Sequence, residues 1–312
     1  MVGLLLLLFF LLGLFFLLGG LRIMRSGLGK AAYHKMRKAL ATLTGTPLTA
    51  LFTGIVITAL VQSSTAITVL TIGFVNAGVL SLIQAVGIIL GANIGTCVTT
   101  QILSFNLSAL AVPSMAAGVA FIITGKKRPL LKHTGQSLLG FGMIFLGLEI
   151  ISDSFAPLRR SALFAGLLSS ISGNHYLAVL AGLVFTGLIH SSSTTTGMVM
   201  ALSRQGLLDL ESAVALVLGG NIGTCVTALL ASVGGTATGK RVALAHILLN
   251  LGGVLLFMPL LNPFSVLVQF TDPSLPRQIS NAQTIFNVAC SLTVLPFTRS
   301  FTRLLTALVK ER

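Results

Sequence analysis

"GANIGTCVT" fills Gly91–Thr99 and "GGNIGTCVT" fills Gly219–Thr227. Eight of nine positions agree at an offset of 128 residues, from 91 to 219. A second phrase keeps the same register. "TALVQSSTAIT" at Thr58–Thr68 parallels "TGLIHSSSTTT" at Thr186–Thr196, so Gln62 matches His190, and Ser63 and Ser64 match Ser191 and Ser192. A weaker echo lies upstream, where "GGLRIM" at Gly19–Met24 resembles "LGLEII" at Leu146–Ile151, offset by 127. Independent motifs in one register mark a duplication, which has to be recognised before any other pattern is interpreted.

Composition fixes the solvent of the repeated unit. Of 312 residues 54% are hydrophobic and only 8% charged, with a mean hydropathy of +0.98, whereas soluble domains carry about 25% charged residues. Apolar runs of about 20 residues recur, each enough to cross a bilayer core of about 30 Å. An all-α polytopic membrane protein is expected, with the lipid bilayer as its surroundings. The 20 Lys and Arg outnumber 6 Asp and Glu, for a net charge of +14. They gather between apolar runs, at Arg22–Lys38, Lys126–Lys132, Lys240–Arg241 and Arg299–Arg312. That is the positive-inside distribution, and it excludes nucleic acid as the partner. No Lys or Arg precedes the first apolar run, so it is expected to be a retained span with its N-terminus outside. The three cysteines imply no disulfide framework.

The spans follow. Leu4–Ile23 is the first, trailed by a basic loop. Pro47–Gln62 and Ala66–Leu80 are arms of about 15 residues, short for a crossing, and they suit a re-entrant hairpin around a Ser-Ser-Thr tip. Leu82–Leu103 and Leu107–Thr124 complete the first half. In the second, Thr134–Ile151 is followed by an arm at Leu177–Ile189, a tip at His190–Thr194 and a return arm ending near Ser203. Ala213–Ala231, Val242–Leu261 and a last span at Ile279–Leu295 close the chain. With each hairpin returning to its own side, three crossings per half invert the second half relative to the first; hairpins that cross fully give the same loop parity. The four basic clusters then share the cytoplasmic side, with Arg159, Arg160 and Arg277 opposite. The expected organisation is one transmembrane transport domain over 1–312. It holds a first inverted repeat at 1–125, a second at 130–262 and an additional C-terminal helix region at 276–312. Each repeat carries a re-entrant hairpin and a discontinuous helix.

Inverted repeats with interrupted segments place a substrate site at their interface in secondary transporters. Irregular backbone at that depth is tolerated only where it is buried or lines a cavity. Half-helix N-termini with hydroxyl donors suit an oxyanion. Freed carbonyls and Ser, Thr and Asn oxygens suit a hard cation such as Na+. The six acids, Glu149, Asp153, Asp209, Glu211, Asp272 and Glu311, all fall outside the repeated phrases, so neutral oxygens favour Na+ over a proton as coupling ion, with no cofactor and no transition-metal site. His190 is the exception, able to titrate or simply to donate the hydrogen bond of Gln62. His133 and His246, near basic clusters, read as interfacial. An intramembrane serine hydrolase built on His190 and Ser191 lacks the Gly-x-Ser-x-Gly elbow and any His-Glu-x-x-His motif.

The same residues resemble the type II sodium-dependent phosphate cotransporters in their short bacterial form. The family's two Gln-Ser-Ser-Ser motifs are matched by "QSST" at Gln62–Thr65 and "HSSS" at His190–Ser193, and its GxNIGT elements by Gly91–Thr96 and Gly219–Thr224. "AHILLN" at Ala245–Asn250 and "NAQTIFN" at Asn281–Asn287 are similar to two further family motifs, with Gln283 where the family has histidine. The resemblance implies an inner-membrane carrier that couples Na+ to uptake of inorganic phosphate by alternating access. Gln62, Ser63, Ser64, Thr65, His190, Ser191, Ser192 and Ser193 would bind phosphate. Ser64, Asn93, Thr96, Ser192, Asn221 and Thr224 would bind Na+. The alternative is a carrier of another oxyanion, sulfate or a dicarboxylate.

Overall fold

A computed structural model describes residues 2–157 and 173–310, together with 166 and 170. Arg159 and Arg160 lie outside the described residues. Within them every regular element is a helix. The first half runs α1 (Val2–Thr42), α2 (Pro47–Val61), α3 (Ser64–Asn76), α4 (Leu82–Ser104) and α5 (Ala111–Thr124). The second runs α6 (Pro129–Phe155), α7 (His175–Ile189), α8 (Ser192–Arg204), α9 (Leu210–Gly223), α10 (Cys225–Ser232) and α11 (Ala237–Phe257). Then follow α12 (Leu261–Gln269), α13 (Leu275–Val294) and α14 (Thr298–Leu308).

Stops and starts recur at the offset of 128. Thr46 caps α2 and Asn174 caps α7 through their side chains. Ser81 and Asp209 do the same for α4 and α9. Each cap satisfies an orphan first-turn N–H and is worth about 1 kcal/mol. Asp209, one of the few acids, is thereby accounted for. After α3 and α8 the chain turns at Gly78 and Gly206, both at positive φ, where a side chain would be strained.

The repeated phrase explains itself in packing. A Cβ at Gly91 would run into the Leu51 carbonyl, and one at Gly219 into the Val179 carbonyl. Gly54 and Gly182 face back against the carbonyls of Ile88 and Leu216. Gly95 and Gly223 rest on Thr58 and Thr186, 2.7 Å from a built Cβ to the threonine Cβ in both halves. Small residues four apart let helix backbones meet in membranes, where packing rather than water expulsion drives association. The glycines therefore seat α2 on α4 and α7 on α9. Of the discontinuous helix expected in each repeat, the first half shows none, because α4 passes unbroken through Asn93–Thr96, whereas the second is interrupted at Thr224, between α9 and α10.

Two further expectations change. The basic stretch after the first span is not a loop, because α1 continues to Thr42. Its Ala, Lys, Arg and Met are good helix formers, and Thr44-Gly45-Thr46-Pro47 supplies the stop. α1 packs antiparallel on α6, with Gly13 against Ile151, Gly20 against Gly140 and Gly27 against His133. His246 is not interfacial but buried at 4% exposure, in α11.

Among the described residues five helices are long and apolar enough to cross a membrane: Leu5–Ala32, Leu82–Ser104, Pro129–Phe155, Leu210–Ser232 and Ala237–Gln269. The chain is a multi-pass membrane protein. Its buried side chains form two cores. One gathers α2, α3, the start of α4 and α11 around the first hairpin, and the other gathers α6, α8, α9 and parts of α12 and α13 around the second. α13 falls outside the five because it is polar on one side. Gln283, Asn287 and Ser291 are buried inside the protein rather than turned to lipid.

Candidate functional site

The two serine-rich tips adopt one backbone. Gln62 ends α2 at φ 58°, ψ 29°, and His190 ends α7 at φ 59°, ψ 29°. They are the only non-glycine residues at positive φ among the described residues. A left-handed residue other than glycine costs about 1–3 kcal/mol and gathers at functional sites. The next residues, Ser63 and Ser191, are extended at φ −150° and cap α3 and α8, with Oγ accepting from Ala66 N at 3.2 Å and Thr194 N at 3.4 Å. Those two hydroxyl oxygens are thus committed to structure. Ser64 with Thr65, and Ser192 with Ser193, open the return helices, so their backbone N–H groups have no partner within the helix.

The side chains differ. Ser191, Ser192 and Ser193 are buried, whereas Ser63, Ser64 and Thr65 are half-buried. Gln62 is buried, its Nε2 donating to Ala59 O and its Oε1 unpartnered. His190 shares the Gln62 backbone, yet its side chain is exposed, so it does not replace the buried amide.

Arg25 of α1 spans the tips. Its Nε donates to Gln62 O at 2.7 Å and its Nη2 to Ser193 Oγ at 3.3 Å. The first bond uses a carbonyl released by the helix break. The hairpins therefore converge to within the reach of one guanidinium. Gln283 makes a second bridge, with Oε1 accepting from Thr196 Oγ1 at 3.4 Å and Nε2 donating to Asn221 Oδ1 at 3.3 Å. Asn221 thus joins the second tip's return arm through α13. Thr96 donates to a carbonyl of its own helix, Ala92 O at 2.8 Å, and Thr224 donates to the last turn of α9, Asn221 O at 2.6 Å. No hydrogen bond joins Asn93 or Thr96 to the first tip among the described residues.

The two C-terminal motifs are braces for the cysteines of the repeated phrase. Asn250 Nδ2 donates to His246 O at 2.9 Å and lies 3.5 Å from Cys225 Sγ. Asn287 Nδ2 donates to Gln283 O at 2.9 Å and lies 3.5 Å from Cys97 Sγ. The same brace thus holds both copies, one from α11 and one from α13.

The Na+/Pi-cotransporter family profile matches residues 15–153 and 159–270. The chain belongs to that family. Over 297 residues it is 37% identical to "Uncharacterized protein YqeW" of Bacillus subtilis, covering 95% of this chain and 96% of that protein. It is 30% identical to "Putative inorganic phosphate export protein YjbB" of Salmonella typhimurium over 297 residues, 95% of this chain and 54% of that one. A shorter stretch of 86 residues is 45% identical to "Sodium-dependent phosphate transport protein 2C" of Mus musculus, 26% of this chain and 14% of the relative. The chain thus spans about half of YjbB and a small part of the mouse protein. No solved structure matches it. As a Na+/Pi-cotransporter family member it is a transporter, not an enzyme, which removes the hydrolase alternative.

Two residues of the cluster escaped sequence reasoning. Arg25 is hidden among neighbouring cations, although its place directly after the "GGLRIM" echo sets it on the span's own helix. Gln283 carried no local signal beyond its motif.

Proposed function

We propose that this Na+/Pi-cotransporter family member couples Na+ entry to uptake of inorganic phosphate across a bacterial inner membrane, and that both tips contribute to one site. The supporting observation is the pair of matching left-handed breaks at Gln62 and His190, each between two helices. The N–H groups and hydroxyls of Ser64, Thr65, Ser192 and Ser193 suit an oxyanion. The unpartnered Gln62 Oε1 and the oxygens of Asn93, Thr96, Asn221 and Thr224 suit Na+. A doubly charged phosphate enters a low-dielectric site only with its charge offset, so Na+ and phosphate affinities are reciprocally coupled. The antiparallel packing of α1 on α6, which open the two halves, supports inverted repeats. Rocking of the hairpin-bearing part then exposes the site alternately.

A second reading, export of phosphate, draws on the name of YjbB. Radiolabelled phosphate flux in proteoliposomes separates the two. Uptake that follows an inward Na+ gradient, fails in K+ and resists excess sulfate or succinate is the expected result. Efflux without Na+ dependence would favour the exporter, and displacement by sulfate or succinate would shift the substrate to another oxyanion.

A further inference from the structure

We infer that Arg25 is a built-in counter-cation of the phosphate site, binding the anion directly and occupying a place that Na+ would otherwise contest. The inference rests on the proposed phosphate site and deepens it. The guanidinium sits where both tips meet, bonded to a bare carbonyl and a hydroxyl. Carbonyl oxygens are what a hard cation seeks, so at Gln62 O the arginine holds a cation's position. Among the described residues it makes no ion pair. The side-chain pairs that are formed, His175–Glu211 and Arg277–Asp272, lie elsewhere. A half-buried positive charge without a carboxylate is costly and leaves the site short of one anion. Arginine's planar fork matches phosphate oxygens better than any neutral donor here.

Placement is rigid. Met24 and Gly27, on either side of Arg25, are held against α6, where a Cβ on Gly140 would collide with the Met24 backbone and one on Gly27 would lie 2.6 Å from His133 O. The repeat has no second copy of the charge. The 127-residue offset of the upstream echo places Ser152 at the matching position, and Ser152 accepts a neutral hydrogen bond from Gln205 at 2.9 Å. One cation between two near-equivalent tips suits one anion shared by both. On phosphate entry the Nη2 bond to Ser193 is exchanged for bonds to phosphate oxygens, and Ser193 is released to donate to the same anion.

The test measures phosphate and Na+ binding to the purified full chain, with thermal melting to verify the fold, for wild type, Arg25→Gln and Arg25→Lys. Loss of one charge-assisted contact lowers phosphate affinity in Arg25→Gln by roughly tenfold or more. Arg25→Lys, which keeps the charge and loses the fork, falls less. Na+ affinity without phosphate does not weaken in Arg25→Gln, because a competing fixed cation has gone. A merely structural latch would weaken phosphate and Na+ together, and that result overturns the inference. So does unchanged phosphate affinity in Arg25→Gln, or an equal fall in both variants. Wild type that binds no phosphate would overturn this inference and the proposed function together. Wild type that binds phosphate alongside an unaffected Arg25→Gln would overturn this inference alone.

Discussion

The first and second tips share a backbone to within a few degrees at the cap, yet one is open and the other closed. In the second, Thr186 Oγ1 and Thr195 Oγ1 lie 2.6 Å apart, Thr194 Oγ1 donates to Ser191 Oγ at 2.9 Å, and Thr196 reaches Gln283. In the first, Ala66 and Ile67 stand in place of Thr194 and Thr195. Thr58 Oγ1, Gln62 Oε1 and Thr68 Oγ1 are left buried without partners. Unpaired buried polar atoms each cost about 1–3 kcal/mol, and they persist where something else is meant to satisfy them. Backbone shape is thus the common inheritance of the two halves, whereas readiness to accept a ligand belongs more to the first.

The largest effect should come from the packing that both tips require. Gly219→Val drives a side chain into the Val179 carbonyl and should cost about 3 kcal/mol or more, read as loss of a monodisperse, cooperatively melting protein. Gly73→Ala is the control. Nothing lies within 4 Å of a Cβ there, Ala201 already occupies the matching position, and stability should rise by up to about 1 kcal/mol.

Next comes an exchange that makes the closed tip resemble the open one. Thr195→Ile orphans Thr186 Oγ1 and should destabilise by about 2 kcal/mol, seen as a lower Tm. The reverse change, Ile67→Thr, should cost less because its hydroxyl gains Thr58. Equal costs would mean that the threonine pair does not distinguish the tips.

Gln283→Leu tests the bridge from α13. It frees Asn221 and Thr196, and should raise the KM for Na+-driven phosphate uptake by about tenfold, the equivalent of roughly 1.4 kcal/mol. The smallest effect is assigned to His190→Gln. Its side chain is exposed, and uptake should change by less than about twofold with an unaltered pH profile. A large loss there would restore His190 as a ligand.

Much of this is legible in the sequence. The register of Gln62 with His190 and of Gly91 with Gly219 located the breaks and the paired helices, because membrane packing writes glycines and helix breaks write polar caps. The discontinuous helix expected in the first half is absent because Gly95, like Gly223, admits a neighbouring backbone, and α4 runs on through it. The length of α1 was missed because charge alone does not stop a helix. α13 looked like an ordinary span, although its polar face turns inward to brace Cys97. Arg25 could not be separated from its cationic neighbours, since only tertiary contact distinguishes a cation in a site from one at the membrane surface.

The central claim is that two tips make one site. Phosphate bound per chain at saturating Na+ tests it most directly, measured for wild type, Ser64→Ala and Ser192→Ala. One phosphate per chain, with affinity weakened by either substitution, is the predicted result. Two phosphates per chain, with each substitution removing one and sparing the other, would contradict it.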